Sequence, residues 1–263
     1  MKPLSAVIIT LNEEANIGRC IDSLWYVADE IIILDSFSSD NTVSIAKELG
    51  AIVKQEMFTG YKEQKNRALK LTKYDYILSL DADEVLSPEL IAAILKAKKD
   101  FQFKAYSMNR YNHYCGRFIK HGLWYPDRKI RLFDKRIATW GGMNPHDKVV
   151  LSESNKVQFL KGDILHYTFN TVEEHLERNE RMSSIAAQAI FDSRKKKHWS
   201  KIILSPLWSF INGYFLRLGF LDGYYGWVIA IQNAHLSFLK YQKLQRIKKE
   251  NKSSLVTALN SIH

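Results

Sequence analysis

Cysteine is scarce in this chain. Cys20 and Cys115 are the two thiols among 263 residues, and their contexts match no metal-binding spacing, so both are expected unpaired in a reducing compartment. Long apolar runs are missing as well: none reaches the roughly 18 to 20 residues of a spanning helix. The opening MKPLSAVIITLNEE is cut short by Asn12, Glu13 and Glu14, so it reads as a buried strand and not as a signal peptide. A soluble or peripheral cytoplasmic protein is expected. No glycine-rich loop follows the first apolar strand, which excludes both a dinucleotide-binding fingerprint and a P-loop. Acidic residues are nearly absent from the last 70 positions: residues 194–263 hold 12 basic and 2 acidic side chains, while residues 1–193 hold 26 of each. The whole net charge of +10 therefore lies in the C-terminal quarter.

With 46% hydrophobic and 25% charged residues, the chain can bury a sizeable core and disorder is excluded over most of it. Its first hundred residues alternate β-branched runs with helical patterns. SAVIIT (5–10), EIIILD (30–35), AIVKQE (51–56) and DYILSL (75–80) read as strands. Ile17, Cys20, Ile21, Leu24 and Trp25 recur at helical spacing after the first, and Val43, Ile45, Ala46 and Leu49 after the second. This predicts an α/β fold with a mostly parallel sheet and crossover helices. Ser87-Pro88 caps a further helix running to about Lys99. Thr171 with Glu174 forms a capping box for a long helix ending near Asp192. Between them, residues 105 to 170 are aromatic-rich strand and loop patterns.

Ligands of open α/β sheets collect at the carboxyl ends of the strands. Here those ends are acidic and polar: Thr10, Asn12 and Glu13 close the first, Asp35 and Asp40 follow the second, and Asp81-Ala82-Asp83-Glu84 follows the fourth. Asp81 and Asp83 can place two carboxylates beside one hard cation, Mg²⁺ or Mn²⁺, which would neutralise a diphosphate. Taken alone, the same four residues also suit a solvated turn ahead of a helix.

The order VIITLNEE, LDSFSSDNT, GYKEQKNRAL, LSLDADE resembles the family-2 inverting glycosyltransferases of the GT-A fold. The later segments HGLWYPDRKIRLFDK, NPHDKV and LHYTF resemble the WaaE-type enzymes that place glucose on heptose in the lipopolysaccharide core. The resemblance implies a GT-A domain over 1–193, with a nucleotide-sugar half (1–100) and an acceptor half (101–193); charge and aromatic content mark 194–263 as a basic, helical extension beyond it. The resemblance also implies a UDP-sugar donor bordered by Thr10, Asn12 and Glu13, with Asp35 on the base. Asp81, Ala82 and Asp83 would meet the ribose-diphosphate and metal. Lys65 and Asn66 stand where the family often has Arg-Asn, and Ser36-Phe37 replace the second Asp and the Gly of the usual Asp-Asp-Gly-Ser.

Inversion requires a base opposite the leaving diphosphate, and Asp147, in the Gly141–Asp147 loop, is the candidate; an Asx-type turn residue is its structural alternative. Trp124, Asp127, Arg128, Arg131 and His146 form the expected acceptor or phosphate set, the arginines through bidentate guanidinium contacts; solvated strand ends remain open for them. His166 is a third metal-ligand candidate or a hydrogen-bonded structural histidine. The stretches 202–216 and 223–239, bracketed by basic clusters, fit the interface of an anionic leaflet on the cytoplasmic face of the bacterial inner membrane; packing on the main domain or a homodimer contact is the alternative. The reading favoured throughout is hexose transfer, glucose in particular, to a lipid-linked saccharide. A polyprenyl-phosphate sugar transferase shares the front half. A nucleic-acid-binding protein would explain the basic tail but not the acidic strand ends, so no nucleic-acid partner is expected.

Overall fold

The structure, a computed structural model, describes residues 1–143, 146–152, 156–193 and 199–260. Four strands anticipated from the apolar runs form first: β1 (Leu4–Thr10), β2 (Glu30–Asp35), β3 (Ile52–Gln55) and β4 (Tyr76–Asp81), alternating with α1 (Ile17–Leu24), α2 (Thr42–Glu48) and α3 (Tyr61–Lys70). They pair in the order β3-β2-β1-β4, with β1 parallel to both β2 and β4 and β2 parallel to β3. β1 and β2 are apolar along almost their whole length because both faces of the sheet are covered, as parallel sheets require. One core packs Leu4, Ala6 and Ile8 with Ile17, Cys20, Ile21 and Leu24 of α1; the other face packs Val7, Ile32, Leu34 and Ile77 with Ala68 and Leu69 of α3.

A short strand not expected from the sequence, β5 (Glu84–Leu86), follows the acidic turn and leads into α4 (Pro88–Ala97). α4 begins as anticipated, with the Ser87 hydroxyl accepting from the Leu90 N–H at 3.2 Å and Pro88 in the first turn. The chain continues through β6 (Ala105–Tyr114), β7 (Arg117–Phe118), β8 (Asp127–Asp134), β9 (Ala138–Met143), β10 (His146–Leu151) and β11 (Val157–Phe169). β8 joins the parallel strands antiparallel to β4, and the large sheet continues through β6 and β11 to β5; β9 and β10 form a separate hairpin. The α/β class and the parallel β3-β2-β1-β4 half are as the sequence predicts, whereas the antiparallel pairings of β8 with β4 and β6 and of β11 with β5 were not anticipated.

Register decides which strand ends meet. Thr10 lies beside Asp35 and Ile9 beside Asp81, so both aspartates flank the end of β1. His166 of β11 lies opposite Glu84 of β5, which brings it alongside the acidic turn.

The chain divides into two compact units. The first comprises Met1–His113, Tyr125–Gly142 and His146–Thr168; the second comprises Tyr114–Trp124, Met143–Pro145 and Phe169–His263. This division differs from the boundary expected at 193/194, because α5 (Val172–Asp192) falls in the second unit with the C-terminal helices. There Asn179 of α5 hydrogen-bonds Gln232, and Lys243 holds the Glu180 carbonyl and carboxylate, so α5 packs on the C-terminal helical segment. Thr171 caps the helix, its hydroxyl accepting from the Glu174 N–H, while the Glu174 carboxylate accepts from the Asn170 N–H, one residue before the partner a capping box would use. Beyond come α6 (Lys201–Ile211), a π turn (Asn212–Leu216), a 3-10 turn (Gly219–Asp222) and α7 (Gly223–Asn260). α7 runs through the basic tail without a break, since Lys, Gln, Arg and Glu are good helix formers. The cluster Arg194–Lys197 lies outside the described residues.

Candidate active site

Two loops of the first unit are laced together at the end of β1. Asn12 adopts a left-handed backbone (φ 54°), accepts from Ser39 N at 2.8 Å and donates its own N–H to Ser38 Oγ at 2.8 Å. The Glu13 N–H donates to Thr42 Oγ1 at 2.8 Å. Asp35 is fully buried, and its carboxylate accepts from the Ser38 N–H, the Ser38 hydroxyl and Gln55 Nε2. Thr10 Oγ1 is buried with no hydrogen-bond partner among the described residues. These residues, expected to border a nucleoside, thus form one preorganised edge, with Asp35 anchoring it.

Beside that edge runs an unbroken alternation of charge, from Asp147 through Lys65, Asp81, Arg131, Glu84, Arg110 and Asp127 to Lys129. Lys65 Nζ lies 2.9 Å from both Asp147 and Asp81. Arg131 Nη2 lies 2.9 Å from Asp81 and 2.8 Å from Glu84. Arg110 reaches Glu84 at 3.6 Å and Asp127 at 2.8 Å, and Lys129 meets Asp127 at 3.0 Å. Lys65, Glu84 and Arg131 are buried, and burying them is tolerable because every carboxylate faces a cation. Burial pushes the Asp81 pKa up, but Lys65 and Arg131 outweigh it and hold the carboxyl well below its usual range. Burial opposes the charge on Arg131 too, and Glu84 and Asp81 more than restore it. Trp140 supplies the floor, with Lys65 4.3 Å and Arg131 5.5 Å from its ring centre. Asn66 fixes that tryptophan by pairing with its backbone N–H and carbonyl at 2.9 and 2.8 Å.

Asp83 points the other way, with its carboxylate 3.1 Å from His166 Nε2. The opposite ring nitrogen, Nδ1, lies 2.6 Å from Asn112 Oδ1 and 2.9 Å from Thr168 Oγ1. Asn112 and Thr168 thus hold the Nδ1 side of the ring and leave Nε2 turned toward Asp83. An oxygen donor facing an imidazole nitrogen whose far side is held by an amide is a donor set that fits Mn²⁺ or Mg²⁺ with its outer support in place. Among the described residues no group of three or more His, Cys, Asp or Glu side chains is arranged to hold a metal. Two protein ligands suffice where diphosphate oxygens and water complete the shell.

The remaining expected residues divide. Asp81, Lys65, Asp147 and Arg131 come together in the ion chain, Asp83 pairs separately with His166, and Ala82 is buried between the two aspartates. Arg131 is held by carboxylates and not presented outward as a phosphate clamp, and Asp127 is paired with Arg110 and Lys129. Arg128 lies 4.4 Å over the Phe159 ring. Trp124 belongs to the second unit, where it packs against Tyr114 and His175 at 5.3 Å from each. The side chain of His146 lies outside the described residues. Glu84, Arg110, Asn112 and Trp140 were not singled out from the sequence. Glu84 carried one available signal, a third acid within four residues at the end of an apolar strand.

A fold and an acidic strand edge do not by themselves fix an activity, and comparison with known proteins supplies the class. Residues 5–154 match Glycosyl transferase family 2, and the chain belongs to that family. A glycosyltransferase of Rickettsia typhi is 32% identical over 98% of this chain and 91% of its own. The lipopolysaccharide core biosynthesis glycosyltransferase LpsC of Rhizobium meliloti is 29% identical over 92% of each chain. Among solved structures, glucosyl-3-phosphoglycerate synthase of Mycobacterium tuberculosis, in complex with Mn²⁺ and UDP-glucose, is similar over 43% of this chain and 44% of that one, at 26% identity and a TM-score of 0.36.

Proposed function

We propose that this glycosyltransferase moves a hexose, glucose in particular, from a UDP-sugar to a lipid-linked saccharide, a heptose of the lipopolysaccharide inner core, with inversion at the anomeric carbon. It would work at the cytoplasmic face of the bacterial inner membrane. The observation that carries this reading is Lys65, which joins Asp81 of the donor edge to Asp147 through two 2.9 Å contacts and so unites a donor aspartate and an acid of the β9–β10 hairpin in one cluster. The name of the Rhizobium relative supports the acceptor class.

Asp35 and the loops it anchors receive the nucleoside, and Asp83 with His166 would hold a divalent cation. What that cation supplies when bound is neutralisation of charge on the departing diphosphate. Asp147 takes the proton from the acceptor hydroxyl as its oxygen bonds to the anomeric carbon and the bond to diphosphate breaks. Lys65, 2.9 Å from Asp147, holds that carboxylate in place, and Asn112 keeps Nε2 of His166 facing the cation position.

The test is a screen of nucleotide sugars for Mn²⁺- or Mg²⁺-dependent hydrolysis by the purified protein without acceptor. Release of UDP from UDP-glucose, lost on chelation and reduced about a thousandfold in Asp83→Ala, is the expected result. Turnover of polyprenyl phosphate in preference to a heptose-containing acceptor would replace the acceptor assignment, and inertness toward every UDP-hexose would overturn the donor assignment.

A further inference from the structure

We propose that α6 and the turns joining it to α7 form a docking face for an anionic phospholipid leaflet, lying in the plane of the interface. α6 has no buried residue. Its Ile203, Leu207 and Trp208 are 63%, 54% and 60% exposed, Phe215 and Leu216 of the π turn are 53% and 62% exposed, and Tyr224 at the start of α7 is 69% exposed. So many exposed large apolar side chains between Ile203 and Tyr224 are out of keeping with a surface meant for water alone.

Their exposure is not looseness of the hairpin. Trp227 of α7 packs against Phe210 and Tyr214 at 5.3 Å each, and Ser205 bonds Ser237 at 2.8 Å. At the apex the backbones approach so closely that a Cβ on Gly226 would lie 1.8 Å from the Gly219 carbonyl oxygen, and one on Gly219 would lie 2.5 Å from that of Gly213. The hairpin is braced from within and turns its remaining apolar side chains outward.

Charge selects the occupant. Between Trp199 and Lys249 the sequence has one acid, Asp222, and it is buried, accepting from the backbone N–H groups of Lys120 and His121 at 3.2 and 2.8 Å. Lys201 and Arg217 stand exposed at the start of α6 and at the turn. This face therefore offers lipid phosphates cations and no repelling carboxylate. Against a second copy of itself the same basic surplus would repel. Among the described residues no helix is long and apolar enough to cross a membrane, which suits a helix lying in the interface.

The experiment is flotation of the full chain with phosphatidylglycerol/phosphatidylethanolamine vesicles and with phosphatidylcholine vesicles. The wild type should float with the anionic vesicles only, and Leu207→Glu/Trp208→Glu should lower that partition by about tenfold or more. Lys201→Glu/Arg217→Glu, which alters exposed residues alone, should lose binding with its circular dichroism unchanged, so the outcome does not hang on whether the first variant folds. Failure of the wild type to float, or flotation of both variants like the wild type, overturns the proposal. So does a dimer in sedimentation that Leu207→Glu/Trp208→Glu dissociates while no vesicle is bound. Asp147→Asn should float like the wild type, which separates this inference from the catalytic reading.

Discussion

The two units break the same rule in opposite directions. In the first, charged side chains are buried: Lys65, Glu84 and Arg131 sit inside an alternating ion chain. In the second, apolar side chains are exposed along α6 and its turn. Charges ordinarily stay outside and large apolar groups inside, and a chain keeps such an inversion where the group has another partner to meet. Under the two proposals made above, the buried ion chain belongs to the donor site and the exposed aromatics to a lipid leaflet. The interior of the second unit is, by contrast, conventional, with Tyr114, Ile119, Phe169 and Ile229 forming its core.

The comparison is most directly broken at Asp147. Asp147→Asn should lower kcat by roughly 10²- to 10⁴-fold, the usual worth of a general base, while nucleotide affinity measured by calorimetry stays put. Near-normal transfer by this variant would remove Asp147 from the chemistry and leave the ion chain a structural device.

Next in size is Arg131→Leu, which leaves Asp81 and Glu84 facing each other in a buried place. Stability should fall by roughly 3–5 kcal/mol in denaturant titration. The pH dependence comes from the depressed Asp81 pKa. A carboxyl lowered on folding contributes stability above its ordinary value of 3.8, and loses that contribution as pH falls through the lower folded value. Removing Arg131 raises the folded value, so acid unfolding should begin at higher pH.

The second unit should respond to acid in a different window. His175 is buried, and burial followed by the nearby Arg178 charge depresses its pKa from 6.5 to about 4. The unfolded chain takes up that proton first, so stability is full above 6.5 and falls between 6.5 and about 4, by up to about 3 kcal/mol. His175→Phe should flatten that part of the curve, read by near-ultraviolet circular dichroism, without moving the more acidic loss assigned to Asp81. The smallest effect expected is at Asn112. Asn112→Leu removes the partner 2.6 Å from His166 Nδ1 and should weaken Mn²⁺ binding, measured by electron paramagnetic resonance, by about 10- to 100-fold. Unchanged Mn²⁺ affinity would place the cation elsewhere.

What could be read in advance was what is local. The parallel strands announced themselves as apolar runs, and the caps at Ser87 and Thr171 lie three residues from the N–H groups they accept. The strand-end acids, Asp35, Asp81 and Asp83, were legible because topology sends all parallel strands to one edge. The partners of those acids were not. Lys65 reaches Asp147 across 82 residues and Arg131 reaches Asp81 across 50, and no spacing rule connects them. Arg131 looked outward-facing for this reason, and Trp140, the floor beneath both cations, gave no signal beyond being a tryptophan.

Sequence by itself therefore determined the α/β class, the acidic edge and the concentration of positive charge in the last 70 residues, which rest on periodicity or composition, and the family resemblance, which rests on four motifs in order. Tertiary structure alone decided which cation holds which carboxylate, that His166 presents Nε2 to Asp83, and that α6 leaves its aromatics uncovered. A helix with an apolar face reads the same whether that face meets a core or a solvent boundary. Which of the two it meets is settled by what the rest of the chain brings against it.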